Sequence, residues 1–380
     1  MNFQREPIET PRLSTPSPRQ PIALDAARNW AAMVSALPYQ RRLAVVVITR
    51  DEARHIADCL QAICSATSSF ADAQVIVVDS DSTDGTAEIA ARFPVEVFRY
   101  RGPTRTAAAG RAVGTRLVRA SYILFVDGDS CIEAPWLAKA IDYLDSHPEV
   151  GVVYGQRREV LEGVGDDYVS HVPESPGLGG TALYRSTALT AAGGFHPYLA
   201  AEEEGELRAR IERLGYQVHE TPDLMFTHRT VPKDTWQGYL HRIRRSMFAG
   251  YGQVLRASLR EGLLRYHARR LNRPLLMGVY LLLGVICTAI SALRSSSSPI
   301  VAWALAGLTA FGYLWYRRRH FRGALYIVCD WALSAVGIGV GMMSFLGERD
   351  EFDPIIECLR CEAETWSEGL PRWELVEWRR

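Results

Sequence analysis

The sequence predicts an α/β domain built on a mostly parallel sheet, followed by a helical membrane region. Three observations carry this expectation. Between residues 43 and 271, short apolar runs alternate with segments of helical periodicity, as in a sheet whose parallel strands are joined by helices. Those runs are continuous and β-branched rather than alternating, as strands buried on both faces require. After residue 274 the composition changes to three long apolar stretches.

Composition narrows the function classes. A chain of 380 residues with 48% hydrophobic and 23% charged residues is neither disordered, collagenous nor a disulfide miniprotein. Its 43 basic and 43 acidic residues cancel, so the electrostatic footprint of a nucleic-acid binder is missing and no nucleic-acid partner is expected. Lys139 and Lys233 are the only lysines, which makes an Arg cluster weaker evidence than usual. Seven cysteines do not form a disulfide framework. Cys358 and Cys361 lack the second pair that a zinc site needs, and read as two ordinary cysteines of the tail.

Residues 1–40 carry six prolines among Ser, Thr and Arg and read as a flexible arm that buries too little surface to offset chain entropy; no signal peptide is expected there. Residues 43–49 (LAVVVIT) form the first strand. It ends at Arg50, Asp51 and Glu52, which open a helix with Ile56, Leu60 and Ile63 on one face. Residues 75–78 repeat the design and end in Asp79-Ser80-Asp81-Ser82-Thr83-Asp84-Gly85-Thr86. One helix cap does not need three Asp residues, and close carboxylates call for donors or a cation. Residues 122–126 (YILFV) end in Asp127-Gly128-Asp129, where two carboxylates one Gly apart can face one hard divalent ion such as Mg2+ or Mn2+. Ligands of parallel sheets bind beyond the carboxyl ends of strands, where all three turns lie.

The ordered set Val46-Val47-Ile48-Thr49-Arg50-Asp51-Glu52, Val77 to Thr86, Arg111-Ala112-Val113-Gly114 and Phe125-Val126-Asp127-Gly128-Asp129 resembles a family 2 glycosyltransferase of the GT-A fold, over about residues 43–248. The resemblance implies that Thr49, Glu52, Asp79 and Asp81 hold the nucleoside of a sugar nucleotide, with Arg111 near its phosphates and Asp127 beside them. It also implies an Asp-x-Asp metal site for Mg2+ or Mn2+, with Asp129 the direct ligand and Asp127 its neighbour. Gly180 to Arg185 and Gly193-Gly194-Phe195 resemble the segment leading to the family's Glu-Asp pair, and Leu207 and Arg210 set the register. Glu203-Glu204 then align with that pair, Glu204 standing for the family's usual catalytic Asp and Glu203 as second choice. On the bare sequence these residues read as the acidic first turn of a helix. His228, at the end of a strand-like run, is a candidate metal ligand.

The Gln-x-x-Arg-Trp motif of processive synthases is absent; Trp236-Gln237-Gly238-Tyr239-Leu240 stands near its place, which argues against a chain-extending synthase. An Arg-rich helix over 241–270 is expected to rest on anionic lipid or on an acceptor's diphosphate. Stretches 275–293, 299–316 and 324–346 are each long enough, at 1.5 Å per residue, to cross a hydrocarbon core of about 30 Å. Arg clusters at 269–273 and 317–322, against a lone Arg294, put the catalytic domain in the cytoplasm and the chain in the inner (plasma) membrane. The third stretch contains Asp330, which must face protein or water, and small residues suited to close helix packing; as a spanning helix it would leave the tail outside. The expected divisions are an arm (1–40), a catalytic domain (41–235), a juxtamembrane helix (236–273), three membrane helices (274–347) and an acidic tail (348–380). The expected function is inverting transfer of a sugar from a nucleotide-sugar donor to a hydroxyl of a lipid-linked or glycan acceptor. A polyprenyl-phosphate acceptor and a silent nucleotide-binding scaffold are the alternatives.

Overall fold

The computed structural model describes residues 41–161, 169–171, 180–230, 235–344 and 346–361. The proposed arm and residues 362–380 lie outside them. The first half of the domain runs β1 (Arg41–Thr49), α1 (Ile56–Thr67), β2 (Gln74–Asp79), α2 (Thr86–Ala90), β3 (Glu96–Arg101), α3 (Ala107–Leu117) and β4 (Ala120–Asp127). The second half runs β5 (Ser130–Ile132), α4 (Ala134–Ser146), β6 (Val150–Leu161), β7 (Val169–His171), β8 (Ala182–Arg185), α5 (Ser186–Ala191), α6 (Glu203–Arg213) and β9 (Gln217–Thr230). Then come α7 (Trp236–Arg244), α8 (Met247–Glu261), α9 (Leu264–Arg270), α10 (Asn272–Leu293), α11 (Ser298–Arg318), α12 (Phe321–Met343) and β10 (Ile355–Arg360).

The sheet order is β10-β3-β2-β1-β4-β8-β6-β9-β5, with β7 paired to β6. β1 lies between β2 and β4, parallel to both, and its residues 43 to 47 are fully buried. Each large side chain there contributes roughly 1.5–3 kcal/mol by leaving water. Register does the functional work: Thr49 stands opposite Asp79 and Ile48 opposite Asp127, so three adjacent strands deliver their polar ends to one rim. Beyond β4 the sheet turns mixed, with β8 antiparallel to β4, β6 antiparallel to β8, and β9 parallel to β6.

α3 carries Arg111 to the same rim. Thr106 caps it, accepting a hydrogen bond from Ala109 N at 3.1 Å. A Cβ on Gly114 would collide with the Val46 side chain, and one on Gly110 would lie 3.3 Å from Ile48, so these glycines let the helix settle close on β1.

Two expectations are corrected in detail. Residues 50–52 do not open a helix: Asp51 is left-handed (φ 58°) and its carboxylate accepts from Thr83 N at 2.9 Å, so α1 starts only at Ile56. The single Arg-rich helix is three, broken where Ser246 (φ 53°) and Gly262 (φ 69°) turn left-handed. Several of its arginines serve the protein rather than lipid, Arg242 pairing with Asp330 at 2.7 Å and Arg270 with Glu202 at 3.2 Å.

α10, α11 and α12 are long and apolar enough to cross a membrane. The tail does not fit the place expected for it. β10 adds to the main sheet, antiparallel to β3, where it covers an edge that would otherwise be left unpaired. Cys358 and Cys361, read as ordinary cysteines, are joined in a disulfide where the ladder slips register near the end of β10.

Two buried imidazoles give a pH signature. Burial holds His196 and His267 at about 4, well below the usual ~6.5 of an exposed imidazole. At these two sites the unfolded chain binds protons in this interval that the folded chain does not, so their contribution to stability is complete above about pH 6.5 and is lost as pH falls toward 4. Relative to the unaltered chain, a His196→Gln, His267→Gln variant should lose less melting temperature, or gain more, as the pH falls from about 6.5 to about 5 in detergent, because it removes the destabilising contribution of these two imidazoles.

Candidate active site

The Asp127-Gly128-Asp129 turn folds back on β1. Gly128 N donates to Ile48 O at 2.9 Å, and a Cβ at 128 would lie 2.8 Å from Thr49 Oγ1, so glycine alone fits. The two carboxylates part company. Asp129 Oδ2 lies 3.1 Å from Nε2 of His228, which β9 presents opposite Ser130 of β5. Asp127 instead accepts from Arg111 Nη2 at 2.7 Å, with its other oxygen against Gly180, which has φ +83° and no room for a side chain.

Two of the three expected metal residues therefore meet and the third is engaged elsewhere. Among the described residues no group of three or more His, Cys, Asp or Glu side chains is gathered as a metal site. The donor set still suits a hard divalent ion. Glu52 is pushed up to about 7, first by burial and then by Asp129, Asp127 and Asp84, with Arg245 opposing. Burial, Asp129 and Glu204 also raise Asp127 against the pull of Arg111. A cation seated by Asp129 and His228 would relieve this crowding of negative charge.

Arg111 sits differently from the sequence expectation. Its side chain is 2% exposed and reaches carboxylates, not open space where phosphates would lie. Nη1 donates to Glu203 Oε1 at 2.5 Å; Nη2 reaches Asp127 at 2.7 Å, the Gly180 carbonyl at 3.0 Å and Glu204 Oε1 at 3.3 Å. Burial works against the charge, but Asp127, Glu204 and Glu203 outweigh it and raise the guanidinium further. Glu203 is enclosed, its carboxyl raised by burial and by Glu204 despite Arg111. Glu204 keeps 19% of its side chain exposed and is the carboxylate of the pair that solvent reaches. Glu202 before them is left-handed (φ 65°), the bend that starts α6.

The other expected residues line the strand ends. Thr49 Oγ1 and Asp79 Oδ1 are buried and have no hydrogen-bond partner, while Asp79 Oδ2 accepts from Ser82 N at 3.0 Å. Burial raises Asp79, with Ser82 and Arg99 opposing. Asp81 pairs with Arg105 at 2.8 Å. Asp84 serves the fold, accepting from Ala53 N at 2.9 Å and Thr86 N at 3.1 Å, which ties the two acidic turns together.

Residues 44–201 match the family model for glycosyl transferase family 2. This segment is a family 2 glycosyltransferase domain. The chain is 25% identical over 362 residues to the succinoglycan biosynthesis protein ExoA of Rhizobium meliloti, covering 88% of this chain and 96% of ExoA. It is 31% identical over 114 residues to the glycosyltransferase AglE of Haloferax volcanii, but that match spans only 29% of this chain and 36% of AglE. Among solved structures it is similar to the mannosyltransferase PcManGT of Pyrobaculum calidifontis, in complex with GDP-Man and Mn2+, at 19% identity and a TM-score of 0.48, over 83% of this chain and 94% of that one.

Sequence reasoning missed what supports the glycosyltransferase domain from α8 and α9. Ala200 N donates to Gln253 Oε1 at 2.9 Å, and a Cβ on Gly250 would lie 2.7 Å from Ala201 N, so α8 packs directly against the loop before Glu203. Arg270 of α9 pairs with Glu202 and lies along Gly205. Also missed were Arg99, which stands 3.6 Å from Asp79, and Arg105. The Arg-rich run 99–105 was their visible signal; nothing local announces Gln253.

Proposed function

We propose that this chain is a membrane-anchored inverting glycosyltransferase, moving a sugar from a nucleotide-sugar donor to a hydroxyl of a lipid-linked acceptor, with its catalytic domain on the cytoplasmic side of the inner membrane. One observation carries the reading: Arg111 bridges Asp127 at the strand ends to Glu203 and Glu204 of the acidic helix start. The side that suits a donor and the side that suits a base are thereby fixed against each other by one rigid group. Near-full-length similarity to a protein named for succinoglycan biosynthesis supports exported polysaccharide as the setting.

In this reading Thr49, Asp79 and Asp81 take the nucleoside, the unpartnered oxygens of Thr49 and Asp79 bonding its donors. Mg2+ or Mn2+ on Asp129 and His228 would supply the positive charge that a leaving diphosphate needs. Glu204 accepts the proton of the acceptor hydroxyl, whose oxygen bonds to the anomeric carbon as the bond from that carbon to the diphosphate breaks. Arg111 aims Glu204 and keeps Glu203 paired, and Asp127 holds Arg111 in place.

The metal seat is tested by binding. Calorimetry of UDP and GDP with the full chain and Mn2+ should show at least one bound nucleotide. EDTA, Asp129→Asn and His228→Ala should each weaken it about tenfold or more. Unchanged affinity in all three would remove Asp129 and His228 from the metal site.

A further inference from the structure

We propose that the chain crosses the bilayer twice, through α10 and α11, and that α12 lies in the membrane interface and returns the tail to the catalytic domain. The course of α12 is the first ground. It runs beside α7 and α8 along its length: Tyr239 Oη donates to Tyr326 O at 3.0 Å, and Arg242 pairs with Asp330 at 2.7 Å. Farther along, a Cβ on Gly337 would collide with the Phe248 carbonyl and one on Gly341 with that of Ala249, so the backbones touch. Arg256 then donates to the Ser344 carbonyl, Arg260 pairs with Glu348, and Arg349 Nη2 donates to Glu261 Oε1 at 2.5 Å.

The partner helices cannot cross. α7 and α8 together carry Arg242, Arg244, Arg256 and Arg260, each costly in a bilayer centre, and α8 touches the catalytic loop at Ala201. A helix aligned with them throughout shares their depth. The layer has the mixed surface of an interfacial element, with Ile243, Leu259, Val336, Val340 and Met343 exposed beside the arginines.

Where the chain goes next is the second, independent ground. Phe352 is buried between the rings of Tyr100 and Tyr198, at 5.9 and 5.8 Å, and its carbonyl accepts from Arg116 Nη1 at 2.8 Å. β10 then pairs with β3, Ile356 opposite Tyr100 and Cys358 opposite Phe98, and Arg101 bonds Glu357 at 3.0 Å. β3 belongs to the sheet whose strand ends carry Thr49 and Asp79. A chain that leaves a domain into the bilayer and rejoins the same domain has crossed an even number of times. The α10–α11 hairpin provides two crossings, and a third by α12 would strand β10 on the wrong side. A reducing compartment would open the Cys358–Cys361 link without touching this ladder.

The test reads topology and needs no enzymatic activity, so it stands apart from the glycosyltransferase reading. Alkaline phosphatase is inserted at Ser295 or fused after Arg380 of the full chain. The Ser295 insertion should be at least about tenfold more active than the Arg380 fusion, which should be at background. Comparable high activity at Arg380 would overturn the proposal. In parallel, a Phe98→Cys, Cys361→Ser chain should form a disulfide between residue 98 and Cys358 under mild oxidation. Failure to cross-link in membranes where the substituted chain is inserted and resists proteolysis like the unaltered chain would also overturn it.

Discussion

Glu204→Gln is expected to slow single-turnover sugar transfer by roughly a hundredfold or more while donor affinity stays near that of the unaltered chain. The substitution keeps the side chain's shape and its contact with Arg111 Nη2 through the amide oxygen, but removes its capacity to take a proton. Glu202→Gln should affect the chemical step little, because Glu202 faces Arg270 rather than Arg111. An acceptor that is already an ionised phosphate needs no base. If Glu204→Gln and Glu203→Gln both transfer sugar at nearly full rate, the hydroxyl acceptor gives way to polyprenyl phosphate.

The second large effect concerns Arg111. Arg111→Met should destabilise the chain by about 3–5 kcal/mol, because it leaves Glu203 buried without its cation and half-buried Asp127 unpaired beside it. Transfer should vanish with it, since Glu204 loses its orienting contact. Arg111→Lys should rescue little: one ammonium cannot span Glu203 on one side and Asp127 and the Gly180 carbonyl on the other. Adding Glu203→Gln to Arg111→Met should recover part of the lost stability by removing one stranded charge. Urea unfolding of the purified variants measures all three; a loss below about 1 kcal/mol for Arg111→Met would show that the carboxylates find other partners.

What the sequence made legible divides along a physical line. β1, β2 and β4 were readable because a strand buried on both faces must be a continuous apolar run, and their polar ends marked the rim. Asp129 was readable for the same reason. Arg111 was found, but its partners were not, because Glu203 lies 92 positions away and only folding brings the two together. The glycines of the third apolar stretch were read as a device for close helix packing, and they are one. Their partner is the backbone of Phe248 and Ala249 rather than another membrane helix, a choice that residue type cannot make. β10 was hidden because its sequence, IIECLR, is too polar for a buried strand; its role is to cover an edge.

The central claim is that this chain consumes a sugar nucleotide at the rim formed by β1, β2 and β4. The most direct measurement offers radiolabelled UDP-, GDP-, CDP- and dTDP-sugars with Mg2+ or Mn2+ to inside-out vesicles containing the full chain. Nucleoside diphosphate release and label in the lipid extract are followed together. The account predicts that at least one donor releases its diphosphate as its sugar passes to the lipid fraction, and that EDTA or Asp129→Asn stops both. No consumption of any donor by protein that is folded and inserted would contradict it.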